Sequence, residues 1–358
     1  MKYNYFFHLL ICIVAVGCSE PDVQFKNFNA SGKAIDYKGR VEKLNDSAVA
    51  LISSAAFAET KVIGDSATLY LSSGNDQHHY VVVELNGQNS KRYKVDGSPI
   101  SIDLGNNDTT LVRIFKANEA LTGDVILNKI SAQNLIPAED PKQPLIEFIG
   151  NSITCGMGAD TRELSCSEGE WYDHHNAYLA YGPRVARALN LDFRLSCVSG
   201  MGMYRNWNDE DQPVMPDVYE NLRLNADSTK KADLSRKPDI VSIALGTNDL
   251  SFGDGTKERS DFDQQKFVEN YTNFTKRIFE LFPDTQVALL TSPMVGEKEQ
   301  QVLLESLKQV KENLKNRPIS IFEFDNMQPH GCDSHPDIDD HAKMAQQLIP
   351  FFKGLLKF

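Results

Sequence analysis

The stretch Glu147-Phe148-Ile149-Gly150-Asn151-Ser152-Ile153-Thr154-Cys155-Gly156 decides the fold of the larger part of this chain. Its apolar residues predict a buried β-strand that stops at a turn of small residues, and this turn presents Ser152. Two later segments carry complementary polar groups, namely Leu245-Gly246-Thr247-Asn248-Asp249 after a second apolar run and Asp333-Ser334-His335-Pro336 near the C-terminus. Together the three segments offer a nucleophile, a hydrogen-bond donor and a base.

Strands and helices alternate in the C-terminal part, after the connector Ile136-Pro137-Ala138-Glu139-Asp140-Pro141. Alternating βα units predict a parallel sheet with helices on both faces, a three-layer α/β/α domain over residues 142–358. Active sites in such sheets lie beyond the carboxyl ends of the strands, so Ser152 and Asn248 are expected to converge there. The predicted strands cover residues 145–149, 193–198, 240–245, 287–291 and 319–324, and the predicted helical stripes are Phe267, Tyr271, Phe274, Ile278 and Leu281, and Leu303, Leu307, Val310 and Leu314.

The N-terminal part has a different pattern, because short β-rich runs recur between residues 34 and 132. Turn signals such as Asn86-Gly87 and Asp96-Gly97 separate these runs. Regular strands without long helical windows predict an all-β sandwich, a jelly roll, over residues 19–138. The sandwich could widen a cleft of the C-terminal domain, bind a ligand itself or serve as a structural partner.

Composition bounds the function classes. The chain has 358 residues, of which 41% are hydrophobic, so it is long enough for two domains with separate cores. Its net charge of -12 repels nucleic acid and anionic membrane surfaces, and the sequence has no basic cluster to override this charge. We therefore expect no nucleic-acid partner, and we expect a monomer.

The N-terminus is typical of a secretory signal. Lys2 precedes an apolar stretch, residues 6–16, that is too short to span a bilayer. The run Ala15-Val16-Gly17-Cys18-Ser19 resembles a bacterial lipobox, in which Cys18 would be lipidated, although Ala15 replaces the usual Leu. Residues 1–18 are thus predicted to direct a lipoprotein to the periplasmic or cell-surface face of the outer membrane. Ordinary cleavage, leaving a soluble secreted protein, is the alternative.

Four cysteines remain after this segment, and an even number fits two disulfides in an oxidising compartment. The sequence leaves three pairings open. Zinc is the competing interpretation, but the spacing matches no structural zinc pattern. Since three of them lie close to the segments that carry the polar groups, we interpret the four as staples for loops around the site. They are Cys155, Cys166, Cys197 and Cys332.

The polar segments suggest specific chemistry. A serine hydroxyl needs a base to take its proton and fixed donors for the resulting oxyanion. Ser152 lies between two glycines and could be this nucleophile, or Gly-Asn-Ser could simply cap a helix. Asn248 could donate its amide, or could form an Asx turn that positions Asp249. Gly200, in Ser199-Gly200-Met201-Gly202-Met203, could offer a backbone N–H.

His335 is the preferred base, because Pro336 suits the first turn of the final helix. Asp333 could orient its imidazole, or a backbone carbonyl could do so instead. His341 is the alternative base, with a structural role expected. Adjacent His174-His175 could bind a metal, but neighbours rarely converge on one ion. The histidines expected in loops or at the surface are His78, His79, His174, His175 and His330.

Gly150-Asn151-Ser152, Gly200, Asn248 and His335 fall in the order of the four sequence blocks of SGNH/GDSL hydrolases, and the chain resembles this superfamily. The run through Cys155-Gly156, the loop after Ser199 and the ending Gly331-Cys332-Asp333-Ser334-His335-Pro336 are similar to carbohydrate esterase family 2. That family also joins a β-sandwich to an SGNH domain, which is flavodoxin-like, so the resemblance covers the whole mature chain.

The resemblance implies removal of O-acetyl groups from plant polysaccharides such as xylan or glucomannan, or from their oligosaccharides, through an acetyl-enzyme and without metal or organic cofactor. Ser152 would attack, His335 would act as base, and Ser152, Gly200 and Asn248 would form the oxyanion hole. Two departures stand out. Asn151 replaces the usual Asp of the nucleophile block, and Cys332 occupies the position where the superfamily places its triad Asp, so a Ser-His dyad is an alternative.

Substrate contacts and alternatives complete the prediction. Trp171, Tyr204 and Trp207 lie in loops, where their rings could stack on sugars or pack beneath the loops. An SGNH lipase, thioesterase or sialic-acid O-acetylesterase would keep the chemistry, although the sequence between Gly156 and Tyr178 lacks the apolar lid of a lipase. A non-catalytic glycan-binding lipoprotein is the other alternative.

Overall fold

The computed structural model describes residues 1–2, 24–105, 108–139, 141–210 and 213–356. Within these residues, the N-terminal part is an antiparallel sheet of ten strands around an aliphatic core. The prediction that this part is all-β and antiparallel is confirmed, and its jelly-roll topology stays a prediction. The strands are Lys26–Asn29 (β1), Asp36–Lys38 (β2), Val41–Lys43 (β3), Val49–Leu51 (β4), Phe57–Ser73 (β5), His79–Leu85 (β6), Asn89–Val95 (β7), Ile100–Asp103 (β8), Thr109–Lys116 (β9) and Val125–Ile136 (β10).

The C-terminal part contains the predicted parallel sheet. Its strands are Leu145–Gly150 (β11), Asp192–Cys197 (β12), Ile240–Ala244 (β13), Gln286–Leu290 (β14) and Ile319–Phe322 (β15), in the spatial order β12-β11-β13-β14-β15. The chain order reverses at β11, the topological switch point where such sheets bind ligands. Gly150 pairs in register with Cys197 on one side and with Ala244 on the other. The loops that follow these three strands therefore begin side by side at the carboxyl edge of the sheet.

Helices cover both faces of this sheet, as predicted. Phe148 packs edge-on against Tyr181 and Phe352 on one face, while Ile149 lies in the cluster of buried residues on the other face. This alternation follows from the strand period of two. Within the described ranges, no helix is both long and apolar enough to cross a membrane. The α-helices are Ser152–Cys155 (α1), Tyr181–Ala188 (α2), Met215–Val218 (α3), Thr247–Leu250 (α4), Gln264–Leu281 (α5), Glu297–Asn313 (α6) and Ile338–Leu355 (α7).

The two sheets pack against each other through an aromatic cluster. Phe57 and Phe115 of the antiparallel sheet contact Phe193 of β12, with ring centroids 5.9 and 6.3 Å apart. Buried aromatic rings contribute more to such contacts than any other side chain. At the edge of the cluster, Lys38 donates to Asp192 over 3.0 Å. The predicted domain boundaries, at residues 18, 138 and 142, stay predictions.

Two disulfides connect the loops around the carboxyl edge of the parallel sheet. Cys155 of α1 pairs with Cys197 at the end of β12, and Cys166 pairs with Cys332. The Cα atoms are 5.7 and 5.2 Å apart, within the range that a disulfide spans. The four cysteines therefore staple the loops that carry the polar segments, as interpreted from the sequence. Cys18 lies outside the described residues, as does the rest of the predicted lipobox.

Candidate active site

The turn after β11 holds Ser152 at the first position of α1. Asn151 caps this helix, since its side-chain oxygen accepts the Ile153 N–H over 3.2 Å. A Cβ at Gly150 would lie 2.0 Å from Thr154 Oγ1, so the tight turn requires glycine there. The capping role considered for this segment is thus real, and it coexists with a nucleophile position.

His335 faces this serine. Its Nε2 lies 2.8 Å from Ser152 Oγ, and its Nδ1 lies 2.8 Å from the main-chain carbonyl oxygen of Asp333. A carbonyl oxygen only accepts, so Nδ1 carries the proton and Nε2 accepts from the serine hydroxyl. This tautomer is the one that a general base for Ser152 requires.

Asp333 contacts His335 through its main-chain carbonyl, and the catalytic role predicted for its carboxylate stays a prediction. Asp333 is exposed, and its main chain adopts the left-handed conformation, with φ 53° and ψ 38°. This conformation turns the carbonyl toward the imidazole, so the hydrogen bond that fixes His335 comes from the backbone. The observed contacts are therefore those of a Ser-His pair with a carbonyl acceptor, the arrangement that the sequence left open.

We expect Asp333→Asn to keep kcat within about threefold of the unchanged protein, because asparagine tolerates the left-handed conformation and retains the carbonyl. Removal of a true triad carboxylate costs roughly 10⁴-fold in kcat. Steady-state kinetics on an aryl acetate separate these values. A loss near the larger figure would show that the carboxylate does take part.

The loop that carries His335 is held in place by its neighbours. Cys332 donates its N–H to the Gly158 carbonyl over 2.9 Å, and a Cβ at Gly158 would lie 2.5 Å from the Cys332 oxygen. Burial lowers the pKa of His335 below its ordinary value, and the nearby His175 acts in the same direction. The imidazole is therefore neutral at neutral pH and ready to accept a proton.

Two of the three predicted oxyanion donors, Gly200 and Asn248, lie in adjacent loops. Gly200 has φ 78°, and a Cβ there would lie 2.6 Å from Cδ1 of Trp207, so the loop requires glycine. Asn248, in α4, donates from Nδ2 to the Met201 carbonyl over 2.8 Å. An amide nitrogen carries two protons, so Asn248 holds the loop with one and retains the other for a substrate oxygen.

Asp249 supports the same loop, a function that the sequence only hinted at as an alternative. Its buried carboxylate accepts the backbone N–H groups of Met203, Tyr204 and Arg205, at 2.8 to 3.2 Å. Burial raises the pKa of Asp249 to about 6, although these N–H donors oppose the shift. The tight turn after Gly200 is thus built on a carboxylate that is adjacent in sequence to Asn248.

One cavity of about 610 Å³ contains the predicted groups. Ser152, Gly200, Asn248 and His335 all line it. At its rim, Trp171 and Trp207 are 38% and 43% exposed, which is unusual for large aromatic rings. The further lining residues include Leu121, Met157, Ser199, Thr247 and Met294.

Tyr204 packs beneath the loop, which is one of the two alternatives that the sequence left open for it. Its ring packs against Phe262 and Phe267 beneath the loop, and its hydroxyl accepts the Asp263 N–H over 3.0 Å. Leu121 takes a place at the rim that sequence reasoning missed. It belongs to a short 3₁₀ turn, Ala120–Thr122, that follows β9 of the antiparallel sheet.

The other histidines among the described residues have structural partners. His341 is fully buried, its Nδ1 accepts the Tyr181 N–H, and burial lowers its pKa to about 3. The expected structural role is thus confirmed. His174 and His175 lie in a buried loop and contact different groups, the Ser165 carbonyl and Glu119. His79, expected in a loop or at the surface, is instead buried in β6.

Among the described residues, one group of three possible metal ligands has its atoms within 4.8 Å of one another, namely His330, Asp337 and Asp340. Its carboxylates already have other partners. Asp337 caps α7, and Asp340 accepts the His330 N–H and the Lys343 ammonium. The group lies outside the cavity of Ser152.

Comparisons with known proteins find a similar family and similar structures. Residues 148–317 match the GDSL-like Lipase/Acylhydrolase family. Over these residues the chain is similar to GDSL-like acylhydrolases, and the proteins that it resembles over most of its length include family 2 carbohydrate esterases.

Three of these relatives cover nearly the whole chain. An acetylxylan esterase / glucomannan deacetylase of Cellvibrio japonicus is 24% identical over 91% of this chain and 90% of its own. A family two carbohydrate esterase structure from Cellvibrio japonicus has a TM-score of 0.82 at 24% identity, over 93% of this chain and 98% of that one. One from Clostridium thermocellum, in complex with cellohexaose, has a TM-score of 0.78 at 25% identity, covering 90% and 100%.

Proposed function

We propose that this protein is a serine esterase that removes O-acetyl groups from plant polysaccharides such as xylan or glucomannan, or from their oligosaccharides. The observation that carries the proposal is the 2.8 Å contact between Ser152 Oγ and His335 Nε2 at a cavity rimmed by two exposed indole rings. The curated relative from Cellvibrio japonicus is named for this activity on xylan and glucomannan.

The reaction follows from the site. His335 takes the proton of Ser152 as Oγ attacks the acetyl carbonyl, and the imidazolium then gives this proton to the ester oxygen of the sugar as its bond to the acetyl carbon breaks, so that the sugar leaves with a free hydroxyl. The oxyanion accepts from the second Asn248 N–H and from the backbone N–H groups of Ser152 and Gly200. Water, deprotonated by His335, attacks the acetyl-enzyme and releases acetate. Each step uses groups that line the cavity.

The rim supports a sugar substrate. Trp171 and Trp207 are partly exposed and line the cavity. An indole combines an apolar ring face with an N–H donor, the combination that stacks on a sugar ring and still binds its hydroxyls. A lipase typically covers its cavity with an apolar lid. The loop from residue 157 to residue 176 exposes the charged residues Arg162, Glu163 and Glu168 instead. This charged loop disfavours a lipase.

A substrate panel tests the proposal. The mature protein should release acetate from acetylated xylan and acetylated glucomannan with no metal added, and faster than it cleaves a long-chain triacylglycerol, an acyl thioester or an O-acetylated sialic acid. Activity confined to one of the latter substrates would keep the chemistry and overturn the substrate class. No hydrolysis of any ester, including an aryl acetate, would favour the non-catalytic glycan-binding alternative.

We further propose that Cys18 anchors the protein to a membrane at the cell envelope, as a monomer. The support is the sequence of residues 6–19 and the lipobox-like run that ends it. The full-length protein expressed in a bacterium should partition into the detergent phase on Triton X-114 extraction, and Cys18→Ala should move it to the aqueous phase. Aqueous partition of both forms would overturn the anchor.

A further inference from the structure

A buried carboxylate from the antiparallel sheet reaches the catalytic loops. Glu119 follows β9, and its side chain is fully buried. One carboxylate oxygen accepts the Ser199 N–H over 2.7 Å, and the other lies 3.4 Å from His175 Nε2. Ser199 directly precedes the oxyanion glycine, and 80 residues separate it from Glu119 in the chain.

This carboxylate is ionised. Burial alone would raise the pKa of Glu119, but the hydrogen bonds and charge of His175 and the bond from Ser199 outweigh burial, so its pKa lies below the ordinary value. A buried anion costs several kcal/mol unless its partners satisfy it. Lys116 helps to fix the backbone of this segment, because its Nζ donates to the main-chain carbonyl of Glu119 over 2.8 Å.

Glu119 and Asn248 hold the oxyanion loop at the two residues that flank Gly200 in sequence. Glu119 fixes the residue before Gly200, and Asn248 fixes the residue after it through the Met201 carbonyl. Gly200 itself has a left-handed φ that a free loop would not keep, because glycine is the most flexible residue. The hydrogen bonds to Ser199 and Met201 therefore fix the direction of the Gly200 N–H.

The second carboxylate oxygen of Glu119 connects the oxyanion loop to the rim of the cavity. His175, which contacts Glu119, packs edge-on against the ring of Trp171, with centroids 4.9 Å apart. Trp171 lines the cavity. One carboxylate thus connects the oxyanion loop to a rim aromatic.

We propose that Glu119 is a positioning residue of the hydrolase, through which the antiparallel sheet holds the oxyanion loop in its active geometry. The proposal deepens the esterase function and rests on it, since the loop matters only if Ser152 forms an oxyanion. It also gives the antiparallel sheet a part in the reaction without any glycan binding of its own.

The test uses the full mature protein and hydrolysis of an aryl acetate. Glu119→Gln should lower kcat by roughly 10- to 100-fold, a part of the 10²- to 10³-fold that a lost oxyanion donor costs, with KM within about threefold. Glu119→Asp keeps the charge, but its side chain is one methylene shorter. It should likewise lower kcat and leave KM within about threefold. It serves as the second variant if Glu119→Gln fails to fold.

The matched control is Glu84→Gln. Glu84 is a buried carboxylate of the same sheet that accepts from Arg113 and Tyr178, and it does not line the cavity. This variant should lower the melting temperature and leave kcat unchanged. A Glu119 variant that also loses only stability, with normal kcat, would overturn the proposal.

A double-mutant cycle with Asn248→Ala gives a second readout. Since both side chains act on the loop around Gly200, their losses in kcat should combine to less than the product of the single effects. Full multiplication would show independent action and would contradict the shared loop. Because an aryl acetate is the substrate, this experiment decides the role of Glu119 even if acetylated xylan is not hydrolysed.

Discussion

Ser152→Ala is expected to lower kcat for hydrolysis of an aryl acetate by roughly 10⁴- to 10⁶-fold, because no other group can then form the acetyl-enzyme. The hydroxyl is the group that contacts His335 Nε2 at 2.8 Å. The fold should be unaffected, since alanine is the best helix former and Ser152 is the first residue of α1. End-point assays of aryl acetate hydrolysis at a high concentration of the variant measure its residual rate.

Ser242→Ala is the matched control. Ser242 is buried in β13, next to β11, and its hydroxyl has no hydrogen-bond partner among the described residues. This variant should keep the full rate. If Ser152→Ala retains more than about a tenth of the activity, the nucleophile is another group and the mechanism is wrong.

Asn248→Ala is expected to lower kcat by roughly 10²- to 10³-fold, or about 2.7–4 kcal/mol of transition-state stabilisation, with little change in KM. The donor matters mainly once the carbonyl oxygen becomes an oxyanion, so the ground state loses less. The variant also removes the bond to the Met201 carbonyl and loosens the loop of Gly200. Asn248→Asp, with an acceptor in place of the donor, should be at least as impaired.

Asn221→Ala provides the control for this prediction. Its side-chain amide makes the same kind of bond, to the Asn225 carbonyl over 2.8 Å, and it does not line the cavity. We expect this variant to lose some stability and no activity. An Asn248→Ala enzyme within about threefold of the normal kcat would exclude Asn248 as an oxyanion donor.

Most of the parallel sheet could be predicted because its strands are continuous apolar runs. The predicted segment 145–149 and the observed β11, Leu145–Gly150, differ by one residue. The antiparallel sheet was harder to predict. The full length of its longest strand, Phe57–Ser73, does not follow from the sequence pattern, because Gly64, Asp65 and Ser66 interrupt the apolar pattern where the strand changes partners from β9 to β8.

The candidate site was predictable where its residues follow strand ends. Register alone brings the loops after Gly150, Cys197 and Ala244 together. The acceptor for His335 was not predictable, because it depends on the left-handed backbone at Asp333. Glu119 was missed for a different reason, since it comes from the other sheet and no local pattern connects it with Ser199.

Trapping of the acetyl-enzyme tests the central claim most directly. The mature protein would be mixed with acetylated xylan oligosaccharides, quenched in acid within milliseconds, digested and analysed by mass spectrometry. We predict one added acetyl group on the peptide that contains Ser152, and none on this peptide in Ser152→Ala. Rapid acetate release with this peptide unmodified, or with release persisting in Ser152→Ala, would contradict a serine esterase mechanism.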